Sequence, residues 1–196
     1  MVNISLEEKT LKVNNKSFKY IEKGEGQLVL LIHGWPENCI SWYNQISFIA
    51  KLGYKVVAMN VRGYAGSYSP NSIQSYKLKF FMEDIIDIIN YFDKNNAILI
   101  GHDWGAPICW TTAAYYKEKI AAVIGLSVPF TKRGKVSSTR LWQNLYKDIF
   151  FYQNYFQYEN IPEKELEKNI SETLLKVYYW CSEEGFQDKI KSNIKL

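Results

Sequence analysis

The residues with the most chemical potential lie in the run Ile98-Leu99-Ile100-Gly101-His102-Asp103-Trp104-Gly105-Ala106, where a carboxylate sits between two glycines, after an apolar run and before a helical segment. A turn that tight excludes large side chains two residues to either side, so this pattern predicts a nucleophile elbow that presents Asp103 in a strained, exposed conformation. An aspartate is ionised at neutral pH and attacks an sp3 carbon without a base to activate it, forming an alkyl ester; a serine at the same point would need one. A second segment, Leu31-Ile32-His33-Gly34-Trp35-Pro36-Glu37, also closes an apolar run. Its loop could bring the Trp35 N–H to the point served by the Trp104 N–H, making an oxyanion hole for the water attack that releases the ester.

These loops need strands to hold them. Four continuous apolar runs, Leu28 to Ile32, Val56 to Met59, Ala97 to Ile100 and Ala121 to Leu126, read as strands buried on both faces. Between them lie segments of helical period, the clearest carrying Leu78, Phe81, Met82, Ile85, Ile89 and Phe92. Alternation of this kind predicts an α/β fold, a mostly parallel sheet with flanking helices. Leu11 to Val13 and Phe18 to Lys23, joined through Asn14-Asn15-Lys16, read as a preceding antiparallel hairpin. From Arg140 to about Trp180 the pattern is helical and aromatic-rich with no strand-like run. The expected division is a core over residues 1–135 and a helical layer over 136–196.

Composition narrows the function classes. The 196 residues are 47% hydrophobic and 16% aromatic, which suits a folded core rather than disorder. The net charge of +4 is spread over 24 basic and 20 acidic residues, without the basic stripe that nucleic-acid binding requires. The Lys- and Glu-rich stretch around Glu163 to Lys168 reads as a solvated helix face. Cys39, Cys109 and Cys181 have no motif spacing and fit free thiols; no metal site or cofactor is expected. No apolar run approaches the roughly 18 residues of a membrane span, and no leader pattern opens the chain, which points to the cytoplasm.

The pairing of HGWPE with GHDWGA, in this order, resembles the epoxide hydrolase and haloalkane dehalogenase branch of the α/β-hydrolases. Val56 to Pro70 resembles that family's loop of aspartate-x-arginine-glycine-tyrosine-glycine, with Asn60 in place of the acid and Ala65 in place of the second glycine, departures expected to alter loop rigidity more than chemistry. Phe151-Tyr152-Gln153-Asn154-Tyr155 resembles the epoxide hydrolase cap, in which the tyrosine before glutamine hydrogen-bonds the epoxide oxygen. The resemblance implies an α/β-hydrolase with a partial helical cap over 136–196, Asp103 as nucleophile, Tyr152 as donor, Trp35 and Trp104 as oxyanion amides, and His33, Gly34, Pro36 and Gln153 around the substrate. Its partners would be a small epoxide and water. The family's histidine base, relay acid and second cap tyrosine, with the last strands of its sheet, would lie beyond this chain, so a truncated enzyme is expected. No Asp or Glu occurs from Ala121 to Lys147, which excludes the early relay acid of some dehalogenases. A haloalkane dehalogenase, with Trp104 holding the halide, and a non-catalytic remnant are the competing readings.

Overall fold

The computed structural model describes residues 7–132 and 134–191. They divide into two compact units, Met1–Thr131 and Lys132–Leu196. The first holds a six-stranded sheet in the order β1-β2-β4-β3-β5-β6. Its strands are β1 (Glu8–Val13), β2 (Lys16–Lys23), β3 (Gln27–Ile32), β4 (Tyr54–Met59), β5 (Ala97–His102) and β6 (Ile120–Leu126). The hairpin joining β1 to β2 turns on Asn14 and Asn15, both at positive φ, 49° and 60°, a conformation that asparagine tolerates better than most residues.

From β3 onward the pairs β3–β4, β3–β5 and β5–β6 are all parallel. The crossovers are α1 (Tyr43–Lys51), α2 (Leu78–Tyr91) and α3 (Gly105–Tyr115). They cover opposite faces. Trp42 and Ile46 pack with Val29, Leu31, Val56 and Ala58 on one face. On the other, Ile85, Ile88, Ile89, Ile108 and Cys109 pack with Leu28, Leu30, Ile32, Val57 and Leu99. The alternating residues of β3 therefore feed two cores, which is why that strand reads as one unbroken apolar run.

The chain leaves β3 for β4 on one side and leaves β5 for β6 on the other, so the strand order reverses between β3 and β5. In open α/β sheets the crevice at the carboxyl ends of such a strand pair is where ligands bind. The parallel register sets Ile32 beside Gly101. Two residues further on, in the loops just past the strand ends, Gly34 lies against Asp103.

Full burial holds for β3 and fails for β6. Ile124 and Leu126 are 48% and 43% exposed, and among the described residues β6 pairs only with β5, at the edge of the sheet. The second unit carries α4 (Ser138–Leu145), α5 (Tyr152–Tyr155), α6 (Pro162–Leu166), α7 (Ile170–Cys181) and α8 (Glu183–Lys191). Ser137 and Asn169 cap α4 and α7 with their side-chain oxygens.

One buried ion cluster ties the loop after β4 to α2. Arg62 donates to both carboxylate oxygens of Asp84, at 2.6 and 2.7 Å, and to the carbonyls of Ser75 and Phe80. Lys16 donates to Asp84 and Asp87 at 2.7 and 2.6 Å. The guanidinium also lies over the rings of Tyr68, Phe80 and Phe81. Removing the shared anion strands a buried cation, and breaking such a pair from one side costs more than the pair itself contributes. Asp84→Ala is expected to lower unfolding free energy by about 3–5 kcal/mol, read from denaturant midpoints; a loss under about 1 kcal/mol would mean that Arg62 finds another partner or solvent.

Candidate active site

β5 ends at His102, and α3 begins two residues after Asp103. Asp103 takes the strain of this turn itself, at φ 50°, a left-handed conformation unusual for a residue other than glycine. Neither Gly101 nor Gly105 has a positive φ. Both are needed for space: a Cβ on Gly101 would collide with the carbonyl of Gly105, and one on Gly105 with the carbonyl of Ile32. Gly34 meets the same constraint from the facing loop, where a Cβ would strike the Asp103 side chain. Three backbones thus approach one another with no side chain between them.

That approach lets the Trp35 N–H donate to Asp103 Oδ1 at 2.9 Å. Trp104, the residue preceding α3, is in the right-handed region, and its N–H lies at the helix start, where no intrahelical acceptor exists. The same helix end adds its partial positive charge beside the carboxylate. The Trp35–Pro36 peptide is cis, and the Glu37 N–H returns to the Gly34 carbonyl at 3.0 Å. Among the described residues no cluster of His, Cys, Asp and Glu could hold a metal ion.

His33 is fully buried. Its Nε2 accepts from the Val61 N–H at 3.1 Å, so Nδ1 carries the proton and donates to the Gly34 carbonyl at 2.9 Å. Burial holds its pKa below the ordinary value of 6.5, although the Gly34 carbonyl and Glu37 pull the other way. With its lone pair engaged, His33 fastens the loop rather than moving protons. His102, next to Asp103, faces Glu37 Oε2 through Nδ1 at 3.0 Å.

Tyr64 has no counterpart among the sequence expectations. Its ring stands edge-on to His33 with centroids 4.8 Å apart. Burial, and then the charge of Asp103, push its pKa up to about 12, so it stays a neutral phenol. The Arg62-Gly63-Tyr64 run is visible in the sequence, but its spacing carries no sign that the ring meets His33.

Tyr152 and Gln153 belong to the second unit, where they open α5. Gln153 donates its amide N–H to the Tyr152 hydroxyl oxygen at 2.8 Å, and Tyr152 packs edge-on to Phe151 and Phe156.

A family model described as alpha/beta hydrolase fold matches residues 27–180. The chain is 35% identical over 168 residues to bifunctional epoxide hydrolase 2 of Sus scrofa, covering 85% of this chain and 30% of that protein. It is 34% identical over 169 residues to epoxide hydrolase A of Mycobacterium tuberculosis, covering 85% and 52%. The crystal structure of epoxide hydrolase A from Mycobacterium thermoresistibile superposes with a TM-score of 0.83 at 35% identity, over 86% of this chain and 54% of that one. An epoxide hydrolase from Vigna radiata gives 0.83 at 36% identity, over 88% and 57%. The chain therefore spans about half the length of these relatives, and less of the bifunctional one.

A histidine whose folded pKa is lowered favours the fold only while neutral: the unfolded chain takes up the proton first as pH falls. The contribution of His33 is complete above about 6.5 and is lost as pH falls through its lower folded value. The melting temperature should drop between about pH 7 and about pH 5.5, with a shallower slope in His33→Gln. A wild-type melting temperature that stays level across this interval would show that His33 protonates freely within the fold.

Proposed function

Because the chain belongs to the α/β-hydrolase fold family, we propose that Asp103 is the nucleophile of an epoxide-opening reaction. The reading rests on one observation above all: the Asp103 carboxylate, at positive φ between β5 and α3, with Oδ1 held by the Trp35 N–H at 2.9 Å. That bond orients the carboxylate and leaves its other oxygen to attack a ring carbon. Attack breaks one C–O bond of the epoxide, forms an ester to Asp103, and leaves an alkoxide that needs a proton.

Tyr152 is the proposed proton donor. The Gln153 amide N–H donates to the Tyr152 hydroxyl oxygen, and a phenol O–H is a group that can protonate an alkoxide. The same ester step would follow from a haloalkane, and the Tyr152-Gln153 pair together with the similarity to epoxide hydrolases favours the epoxide. In the second step water adds to the ester carbonyl, and the amides of Trp35 and Trp104 are the proposed oxyanion donors; losing one such donor costs roughly 3–4 kcal/mol of transition-state stabilisation. Residues 136–196, with Gln153, are read as a partial cap, and Gly34 and Pro36 as part of the loop beside the substrate. His33 has its basic nitrogen occupied, and His102 turns Nδ1 to Glu37, so neither is assigned the task of activating that water.

Incubation of the 196-residue polypeptide with a simple aryl epoxide should add one epoxide mass to the intact protein, located to the peptide containing Asp103 and persisting through dilution. Asp103→Ala should give no adduct. Tyr152→Phe should form it about a hundredfold more slowly, the usual scale for a lost general acid. Folded wild-type protein that keeps its unmodified mass would overturn the assignment, and an adduct on Asp103→Ala would move the nucleophile elsewhere.

A further inference from the structure

Asn60 follows β4 and is fully buried. Its carboxamide works at both ends: Oδ1 accepts from the Cys39 N–H at 2.6 Å, and Nδ2 donates to the Ala65 carbonyl at 3.2 Å. Its backbone is pinned as well, with its N–H on the Lys19 carbonyl at 2.8 Å and its carbonyl accepting from Ser67 Oγ at 2.8 Å. The next residue, Val61, donates to His33 Nε2. The segment from His33 to Cys39, which carries Trp35, is thus tied at both ends to residues 60 and 61.

Ala65 is the other half of the arrangement. It sits at φ 37°, in the left-handed region where a Cβ is strained, and Asn60 holds its carbonyl. A carboxylate at position 60 could still accept from Cys39 but could not donate to Ala65, and two acceptors would then face each other in a buried site. Glycine at 65 would ease that conflict, because without a Cβ the 65–66 peptide can turn over and present the Gly66 N–H instead.

We propose that Asn60 is a positioning residue for the loop that presents the Trp35 N–H, and that Asn60 and Ala65 are a matched pair. The neutral amide at 60 is required because alanine stands at 65. Its bearing on chemistry rests on the reading of Asp103 as nucleophile; its bearing on the loop does not.

The test is a double-mutant cycle in the full chain with Asn60→Asp, Ala65→Gly and the combination, followed by denaturant midpoint, by amide hydrogen exchange at Trp35 and Cys39, and by the rate of epoxide adduct formation. All rates are taken where every variant is folded. Asn60→Asp should lower the midpoint, reduce protection of the Trp35 amide on the order of tenfold, and slow adduct formation per folded molecule. Ala65→Gly alone should keep a midpoint near wild type, and the combination should regain most of what Asn60→Asp lost in all three readouts. Additive effects with no recovery would overturn the pairing. Unchanged Trp35 exchange in folded Asn60→Asp would overturn the positioning role. Wild-type protein that forms no adduct while the cycle shows the coupling would instead overturn the nucleophile reading and leave the matched pair standing.

Discussion

The site depends on the close approach of three backbones at Asp103. Gly34, Gly101 and Gly105 each stand where a Cβ would collide with adjacent backbone or with the Asp103 side chain. Because that space is open, the turn after β5 can fold under the loop after β3, and the Trp35 N–H reaches Oδ1. The parallel register of β3 and β5 places the two loops level, and the cores on both faces fix that register. A one-residue slip in the pairing would interchange the faces of β5 and carry Asp103 away from the Trp35 amide. The strain at Asp103 persists because the surrounding packing over-determines it.

Charge is distributed around this point by burial rather than by proximity alone. His33 lies beside the loop that carries Trp35, yet its tautomer is set by one donor and one acceptor of the backbone, and burial keeps it neutral. Tyr64 is a neutral phenol in the field of the Asp103 carboxylate. The densest charge cluster of the first unit, Arg62 with Asp84, Asp87 and Lys16, does different work: it clamps the loop after β4 onto α2 and the hairpin. Buried ions of this kind are costly to break and contribute little net stability, so the cluster is best understood as holding a loop conformation on which Val61 and Asn60 depend.

The similarity to epoxide hydrolases covers most of this chain and about half of the relatives. It embraces every element that brings Asp103 and Trp35 together. Within that shared frame the loop after β4 is where this chain departs from the motif it resembles, and the structure shows the two departures, Asn60 and Ala65, in direct hydrogen-bond contact. Substitutions that look independent along the chain can be one physical change when they meet in space.

Much of the fold was legible in residue order alone. Parallel strands with helical crossovers followed from four apolar runs separated by helical periodicity, because burial on two faces leaves a strand with no polar positions. The elbow was legible because glycines at fixed offsets from a carboxylate have few other uses, and the hairpin because two asparagines tolerate positive φ. The exposure of β6 was not, since an apolar run looks alike at the centre of a sheet and at its edge, and only the strand order puts Ile124 and Leu126 at that edge. The tightness of the turn and the strain at Asp103 were readable too, but not which backbone atoms close on Gly101 and Gly105, the carbonyls of Gly105 and Ile32. The occupied lone pair of His33, the ring of Tyr64 against it and the two-ended amide of Asn60 likewise belong to tertiary structure. Each depends on a partner more than 20 residues away or on a backbone direction set by packing. Local sequence determines which elements form and which groups they carry; which lone pair or N–H remains available is decided when those elements meet.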